Sequence, residues 1–275
     1  MSRGTARGRL IDSDSMPGRV HREVDGAIGW IVFDHPERRN ALSPEMWSEL
    51  ADAVRQHRES REVRVVVMRG AGDTAFVSGA DISTFEVDDG SATSSKLAQG
   101  GGNAFAELEQ IDKPVLAMIH GHCIGGGLAV ALSADLRYAS EGAAFGIPAA
   151  RLGVGYGMGG VAALEAAVGP ARAKEILFTA SRYPADEALA MGLIDRLLPK
   201  DELETFVRAQ AERIAGNAPL TVRSVKVISR ELRRPAAERD VEAARKVVDD
   251  CFQSKDFGEG VRAFMEKRPP VFKGR

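Results

Sequence analysis

In the stretch AIGWIVFD (27–34), Ile28, Trp30 and Val32 fall on one side of an extended chain, and Ile31 and Phe33 fall on the other. A strand of that kind needs cover on both faces. The period then changes. Ser43 stands as an N-cap, Pro44 takes the first helical position, and Met46, Leu50 and Val54 recur on one helical face. EVRVVVMRG (62–70) and KPVLAMIHG (113–121) are again apolar and end in glycine, which predicts two further buried strands. Between them, residues 86–104 are polar and rich in Gly and Ser, and predict a mobile connection ahead of a short helix reaching Glu109.

From residue 126 onward the pattern is mostly helical, over 126–133, 158–168, 171–179, 184–191, 200–215, 219–232 and 238–253. Short strands are expected near 136–139 and 193–198. Leu203, Val207 and Ile214 form one apolar stripe; Val261, Phe264 and Met265 form another. The reading is a flexible tail over 1–19, one α/β core of repeated strand–helix turns over 20–200, and a helical region over 201–275 that packs on the core or on a neighbouring subunit.

Composition narrows the function classes. The chain has 275 residues, 44% hydrophobic and 28% charged, with a net charge of −2. Its arginines are interleaved with acids rather than gathered in a stripe, so nucleic acid is not expected as a partner. Cys123 and Cys251 lack disulfide or metal spacing, which favours a reducing cytoplasm and no metal. The first twenty residues have no apolar central run, so no secretory signal is expected, and no segment is apolar for long enough to cross a bilayer.

Two segments offer bare backbone to chemistry. HGHCIGGGLAVALSAD (120–135) places Gly125, Gly126 and Gly127 at a helix start. There, unpaired N–H groups and the positive end of the dipole suit a developing anion. The same glycines could instead only permit close packing of helix on strand. DTAFVSGADIS (73–83) ends another strand in a small-residue turn, Ser78-Gly79-Ala80-Asp81, which also offers N–H groups. Two such turns converging on one carbonyl oxygen would make an oxyanion hole.

Together with PERRNALSPEM, AAFGIPAARLGVGYGMGG, EILFTASRYPADEALAMGLIDRLLP and EGVRAFMEKRPPVF, these motifs resemble the crotonase superfamily, the enoyl-CoA hydratase/isomerase family, over nearly everything after the tail. The resemblance implies a spiral of ββα turns, a trimer or dimer of trimers, and an acyl-CoA thioester substrate, with no cofactor beyond the substrate's own coenzyme A. It places the oxyanion donors on the N–H groups of Ala80 and Gly126, with Gly125 beside them. It puts Arg38 and Arg39 near the CoA phosphates and Ala41 and Leu42 along the pantetheine wall. The carbonyls of Ser78, Gly79, Ala80, Asp81 and Ile82 fall where the family reads the adenine amino group. Phe264 and Lys267 match a tail that reaches the CoA of an adjacent subunit.

The sequence also departs from the family. The two positions where hydratases carry glutamates are Ala129 and Ala149 here. Each acid or base is worth about 10² to 10⁴ in rate, so hydration is expected to be slow or absent. Tyr156 stands where malonyl-type CoA decarboxylases of the superfamily carry a tyrosine, which keeps open catalysis by Tyr156, a wall residue, and a non-catalytic acyl-CoA binder. His120 and His122 read as structural, Asp81 as ordering its turn, Asp135 as a helix-end hydrogen-bond group, Glu141 as a solvated turn residue and Arg151 as half of a surface ion pair.

Overall fold

The computed structural model of the chain describes residues 17–81, 87–88, 91–92 and 95–275. Strands β1 (Arg19–Asp25) and β2 (Ile28–Asp34) open the fold, followed by helix α1 (Pro44–Glu59). Then come β3 (Val65–Gly70), β4 (Ala75–Val77), the small hairpin β5 (Val87–Asp88) and β6 (Ser91–Ala92), α2 (Ser95–Gln110), β7 (Val115–Ile119), β8 (His122–Ile124) and α3 (Gly126–Leu132). β9 (Leu136–Ser140), β10 (Ala144–Gly146), α4 (Ala149–Leu152), α5 (Met158–Thr179), β11 (Tyr183–Pro184), α6 (Ala185–Ala190) and β12 (Arg196–Leu198) complete the sheets. Four helices close the chain: α7 (Leu203–Gly216), α8 (Pro219–Leu232), α9 (Val241–Gln253) and α10 (Lys255–Glu266).

The strands fall into a larger sheet of order β1-β2-β3-β7-β9-β12 and a smaller one of order β11-β10-β8-β4. The successive pairs β3/β4, β7/β8 and β9/β10 each give one strand to each sheet, and neighbouring turns pair in parallel. This is the expected α/β spiral of ββα turns. Strand alternation builds two cores. Ile31, Phe33, Val66, Met68, Ala117 and Ile119 point inward, toward the smaller sheet and α1. Ile28, Trp30, Val32, Val65, Val67, Leu116 and Met118 point outward, where Leu203, Val207, Ala211 and Ala215 of α7 cover them. That double burial explains strands that are apolar on both faces.

Of the elements that the sequence reading did not give, β1 and the start of α2 have a clear physical reason. β1, with sequence RVHREVD, is largely exposed and carries no apolar alternation, yet it pairs antiparallel with β2 along its whole length as a charged edge strand. The tail expected over 1–19 lies outside the described residues up to 16, and β1 already begins at Arg19. Helix α2 begins at Ser95, inside the stretch read as a loose connection. Its glycines weaken the local signal, but Ala104 and Leu108 are buried and Phe105 packs on Trp47, so tertiary contact outweighs propensity. The rest of the expected connection, 86, 89–90 and 93–94, lies outside the described residues. The expected break between 168 and 171 is present: α5 is interrupted at Gly169, whose φ is 78°, ahead of Pro170.

Candidate functional site

The loop between β2 and α1 is set by backbone that few side chains tolerate. After the single 3₁₀ turn Pro36–Arg38, both Arg39 and Asn40 are left-handed, with φ of 53° and 57°. Asn40 is buried and anchors this turn. Its Oδ1 accepts from the His35 N–H at 2.9 Å, and its Nδ2 donates to the carbonyls of Ala71 at 3.0 Å and Ala75 at 2.8 Å. Asparagine is the residue that combines left-handed backbone with such local bonding. That was the available signal for a residue the sequence reading passed over.

This loop is stitched to the Ser78–Asp81 turn. The Ser78 N–H donates to the Arg39 carbonyl at 3.1 Å, the Leu42 N–H to Gly79 at 2.8 Å, and the Asp81 N–H to Leu42 at 2.9 Å. Ser78 Oγ donates to the Arg38 carbonyl at 3.2 Å. The Arg38 guanidinium spans the two segments and pairs with the Asp81 carboxylate at 3.0 and 3.2 Å. Asp81 therefore orders its turn, with Arg38 as its ion-pair partner; Arg39 is exposed and makes no ion pair among the described residues. Ala41 and Leu42 lie between these stitches. The neighbours on either side of Ala80 are committed, whereas the Ala80 N–H itself has no acceptor among the described residues.

The three glycines face this turn and differ from one another. Gly125 has φ 56° and hands its own N–H to the Gly146 carbonyl at 2.8 Å. A Cβ on Gly127 would sit 2.1 Å from the Val77 carbonyl oxygen, so the helix can approach β4 only with glycine there. Gly126 has no such constraint. A Cβ on it would make ordinary contacts, 3.5 Å from the Ala80 nitrogen and 3.5 Å from Cζ2 of Trp47. As the first residue of α3, Gly126 has an N–H that the helix leaves unused. Both Ala80 and Gly126 are half-buried. Trp47 was not singled out from the sequence, where it sat beside the Met46–Leu50–Val54 stripe. It is 3% exposed, its ring packs on Phe105 with centroids 5.5 Å apart, and its Nε1–H has no acceptor among the described residues.

The other candidates have surroundings of their own. Tyr156 packs against the start of α5, beside Gly160; burial pushes its phenol up to about 12, and the buried hydroxyl has no partner among the described residues. Ala129 is half-buried on α3, and Ala149 opens α4 and packs against the inner core. Burial lowers the imidazoles of His120 and His122. The Asp135 carboxylate accepts from the Val115 N–H at 2.7 Å and from Lys226 Nζ at 2.8 Å, a structural tie. Glu141 is exposed and lines a cleft of about 450 Å³ with Arg182 and Asp186, sharing no residue with the Ala80–Gly126 site. Arg151 is exposed, without the expected ion pair among the described residues. Phe264 and Lys267 are exposed at the end of α10, which packs on α9 and is not brought to this site by its own chain. Ile82 lies outside the described residues. Among the described residues, no group of three His, Cys, Asp or Glu is placed to hold a metal ion, and no helix is long and apolar enough to cross a membrane.

Comparison with known proteins agrees with this architecture. Residues 23–275 match the family model described as enoyl-CoA hydratase/isomerase. The chain is 33% identical over 250 residues to the short-chain-enoyl-CoA hydratase of Clostridium acetobutylicum, covering 90% of this chain and 94% of that protein. It is 34% identical over 264 residues to the carnitinyl-CoA dehydratase of Proteus mirabilis, covering 94% and 100%. The crystal structure of an enoyl-CoA hydratase/carnithine racemase from Magnetospirillum magneticum superposes with a TM-score of 0.86 at 35% identity, over 93% of this chain and 96% of that one. A spiral of ββα turns, a family match spanning all but the first residues, and relatives aligned over nearly their full length lead to one conclusion: the chain belongs to the enoyl-CoA hydratase/isomerase family of the crotonase superfamily.

Proposed function

We propose that the chain is an enzyme acting on an acyl-CoA thioester, whose carbonyl oxygen accepts hydrogen bonds from the Ala80 and Gly126 N–H groups. One observation carries this reading: glycine at 126 is not required by packing or by backbone angle, and a Cβ there would stand 3.5 Å in front of the Ala80 nitrogen. The space kept open is where an oxygen would meet both donors. As the thioester becomes an enolate, negative charge gathers on that oxygen, and the two fixed donors stabilise it. Losing one such donor typically costs about 10² to 10³ in rate. The stitches from Arg38, Ser78 and Leu42 hold the Ala80 turn in place before substrate arrives, so little reorganisation is needed during reaction. Arg39, with Arg38, faces the CoA phosphates in this reading, and Phe264 and Lys267 meet the CoA of a neighbouring copy in a trimer or dimer of trimers.

Ala129 and Ala149 set the direction of chemistry. Neither can orient or deprotonate water, so crotonyl-CoA is expected to gain water far below the usual turnover range of about 1 to 10³ per second. The test incubates crotonyl-CoA, 3-hydroxybutyryl-CoA and methylmalonyl-CoA with the protein and follows each by mass. At least one changes, and Gly126→Ala slows that change by 100-fold or more. Wild-type turnover in Gly126→Ala, which keeps the N–H but puts a Cβ where the oxygen would sit, overturns the assignment of that space to the thioester oxygen, and hydration of crotonyl-CoA within the usual range overturns the role given to the two alanines.

A second reading rests on Tyr156. Its hydroxyl is buried, unpartnered among the described residues and held neutral, so it can donate a hydrogen bond or a proton. In a malonyl-type thioester the bond between C2 and the carboxylate breaks, CO₂ leaves, the electron pair forms the enolate, and a proton then adds to C2. No base is needed, and the alanines at 129 and 149 present no like charge to the substrate carboxylate. Methylmalonyl-CoA should lose the mass of CO₂, and Tyr156→Phe should slow that loss ten-fold or more, about 1.4 kcal/mol. Methylmalonyl-CoA left intact at high protein concentration ends this reading.

A further inference from the structure

We infer that Trp47 selects acyl-CoA thioesters whose acyl group carries a hydrogen-bond-accepting oxygen within two carbons of the thioester carbonyl, an inference that rests on the Ala80–Gly126 reading. Three observations meet at this residue. Its ring edge touches the site: Cζ2 lies 3.5 Å from the position of a Cβ on Gly126, the same position that lies 3.5 Å from the Ala80 nitrogen. Cζ2 is bonded to the ring carbon that carries Nε1, so the indole donor is two bonds from the ring atom nearest the site. That donor is buried, with the residue 3% exposed, and it has no acceptor among the described residues.

An indole N–H can only donate, and a buried donor left unpaired carries an uncompensated desolvation cost. Packing does not explain the cost. The ring lies against Phe105 in a tilted contact that a phenyl group would also make, and nothing in that contact uses the nitrogen. The unpaired N–H becomes intelligible if the ligand supplies the acceptor. With the thioester oxygen between Ala80 and Gly126, the atoms bonded to the carbonyl carbon run along the Trp47 edge. An oxygen on C2 or C3, as in a 2-carboxyacyl or 3-hydroxyacyl group, is then within the indole's reach. A plain alkyl chain would bury the donor without satisfying it. Sites built to hydrogen-bond a substrate reject analogues that lack the partner more strongly than apolar pockets reject an extra methylene.

The test compares butyryl-CoA, 3-hydroxybutyryl-CoA and methylmalonyl-CoA on the full-length protein. Dissociation constants are measured by competition, and the two indole ¹⁵N–H resonances are followed by NMR, that of Trp47 being assigned by its loss in Trp47→Phe. At least one oxygenated thioester should bind ten-fold or more tighter than butyryl-CoA and shift the Trp47 indole resonance, which butyryl-CoA does not shift in the same sense. Which of the two does so separates a carboxylate on C2 from a hydroxyl on C3. Trp47→Phe should lose at least ten-fold more affinity for that thioester than for butyryl-CoA. Should Trp47→Phe fail to fold, the wild-type affinity order and the two wild-type resonances still decide, since an indole that moves only with the oxygenated ligand is the one at the site. Equal binding of all three thioesters, or an unmoved indole, overturns the inference and leaves the oxyanion reading intact. No binding by any of them overturns both.

Discussion

Gly125, Gly126 and Gly127 differ in what a methyl group would meet. At 127 it meets the Val77 carbonyl oxygen at 2.1 Å, at 125 it requires a left-handed backbone, and at 126 it meets nothing closer than 3.5 Å. Gly127→Ala should therefore destabilise the fold by the 1–3 kcal/mol typical of overpacking, or by more, because the clash is with backbone. Gly126→Ala should melt close to wild type, since alanine inside a helix is favoured over glycine by about 0.5–1 kcal/mol, while turnover falls. Thermal denaturation of the two variants checks this contrast. If Gly126→Ala is destabilised as much as Gly127→Ala, all three glycines serve packing and the open space before Ala80 has no chemical meaning. The sequence made the triplet visible but left its two explanations undivided. The atoms that divide them, on Val77 and Ala80, come from a distant segment that no local pattern connects to the helix. Asn40 and Trp47 were illegible for the same reason: their partners lie across the fold.

The joint between α1 and β2 carries a titratable group. His57, in the last turn of α1, is fully buried, and its Nε2 lies 3.1 Å from the Trp30 carbonyl oxygen. A carbonyl only accepts, so Nε2 bears the proton and Nδ1 is the unprotonated, unpartnered nitrogen. Gly29 must be glycine beneath it, because a Cβ would lie 2.5 Å from the ring. Burial, the largest cause, pushes the His57 imidazole down to about 4, against about 6.5 in an unfolded chain. Below pH 6.5 the unfolded chain takes up a proton that the native state refuses. Stability is thus full above pH 6.5 and falls as the pH drops toward 4, by about 3 kcal/mol if His57 alone is counted. His120 and His122, also lowered by burial, act in the same direction. Urea denaturation at pH 7.5, 6 and 5 should show this slope, and His57→Gln should flatten it; an unchanged slope in the variant removes His57 as the cause. Elements buried on both faces were the legible ones, as β2, β3 and β7 show, and so was the Gly169–Pro170 break in α5. β1 and the start of α2 were not, because pairing with β2 and packing on α1 hold them against a polar or glycine-rich local sequence.

At the scale of the whole molecule, the C-terminal helices leave apolar groups without cover. Val241 and Phe252 on α9, Phe257, Val261, Phe264 and Met265 on α10, and Val271 beyond it are each at least half exposed, with Phe264 at 82%. α9 buries none of its residues, and α10 buries only Asp256 and Ala263. These helices are nevertheless well anchored. Arg64 donates to the carbonyls of Ala215 and Phe272 at 3.0 and 2.8 Å, and the Asp256 carboxylate accepts from the N–H groups of Lys273 and Gly274. A firmly held apolar surface of this kind is what an interface between subunits requires, and a frayed end is not. Monomers seldom expose more than a few hundred Å² of contiguous apolar surface, whereas each buried aromatic ring removes about 150–250 Å² from water, so this face approaches the area of a stable interface of about 800 Å² per partner. Light scattering should therefore report a particle of three or six chains of 29.5 kDa. Phe264→Asp should shift it toward the single chain without loss of helical circular dichroism, because that side chain makes little contact within its own subunit. If Phe264 also meets the CoA of a neighbour, dilution of the wild type through its dissociation range should weaken CoA-thioester binding in step with the loss of assembly. A wild-type particle of 29.5 kDa at micromolar concentration would end the trimer reading, and with it the role given to Phe264 and Lys267.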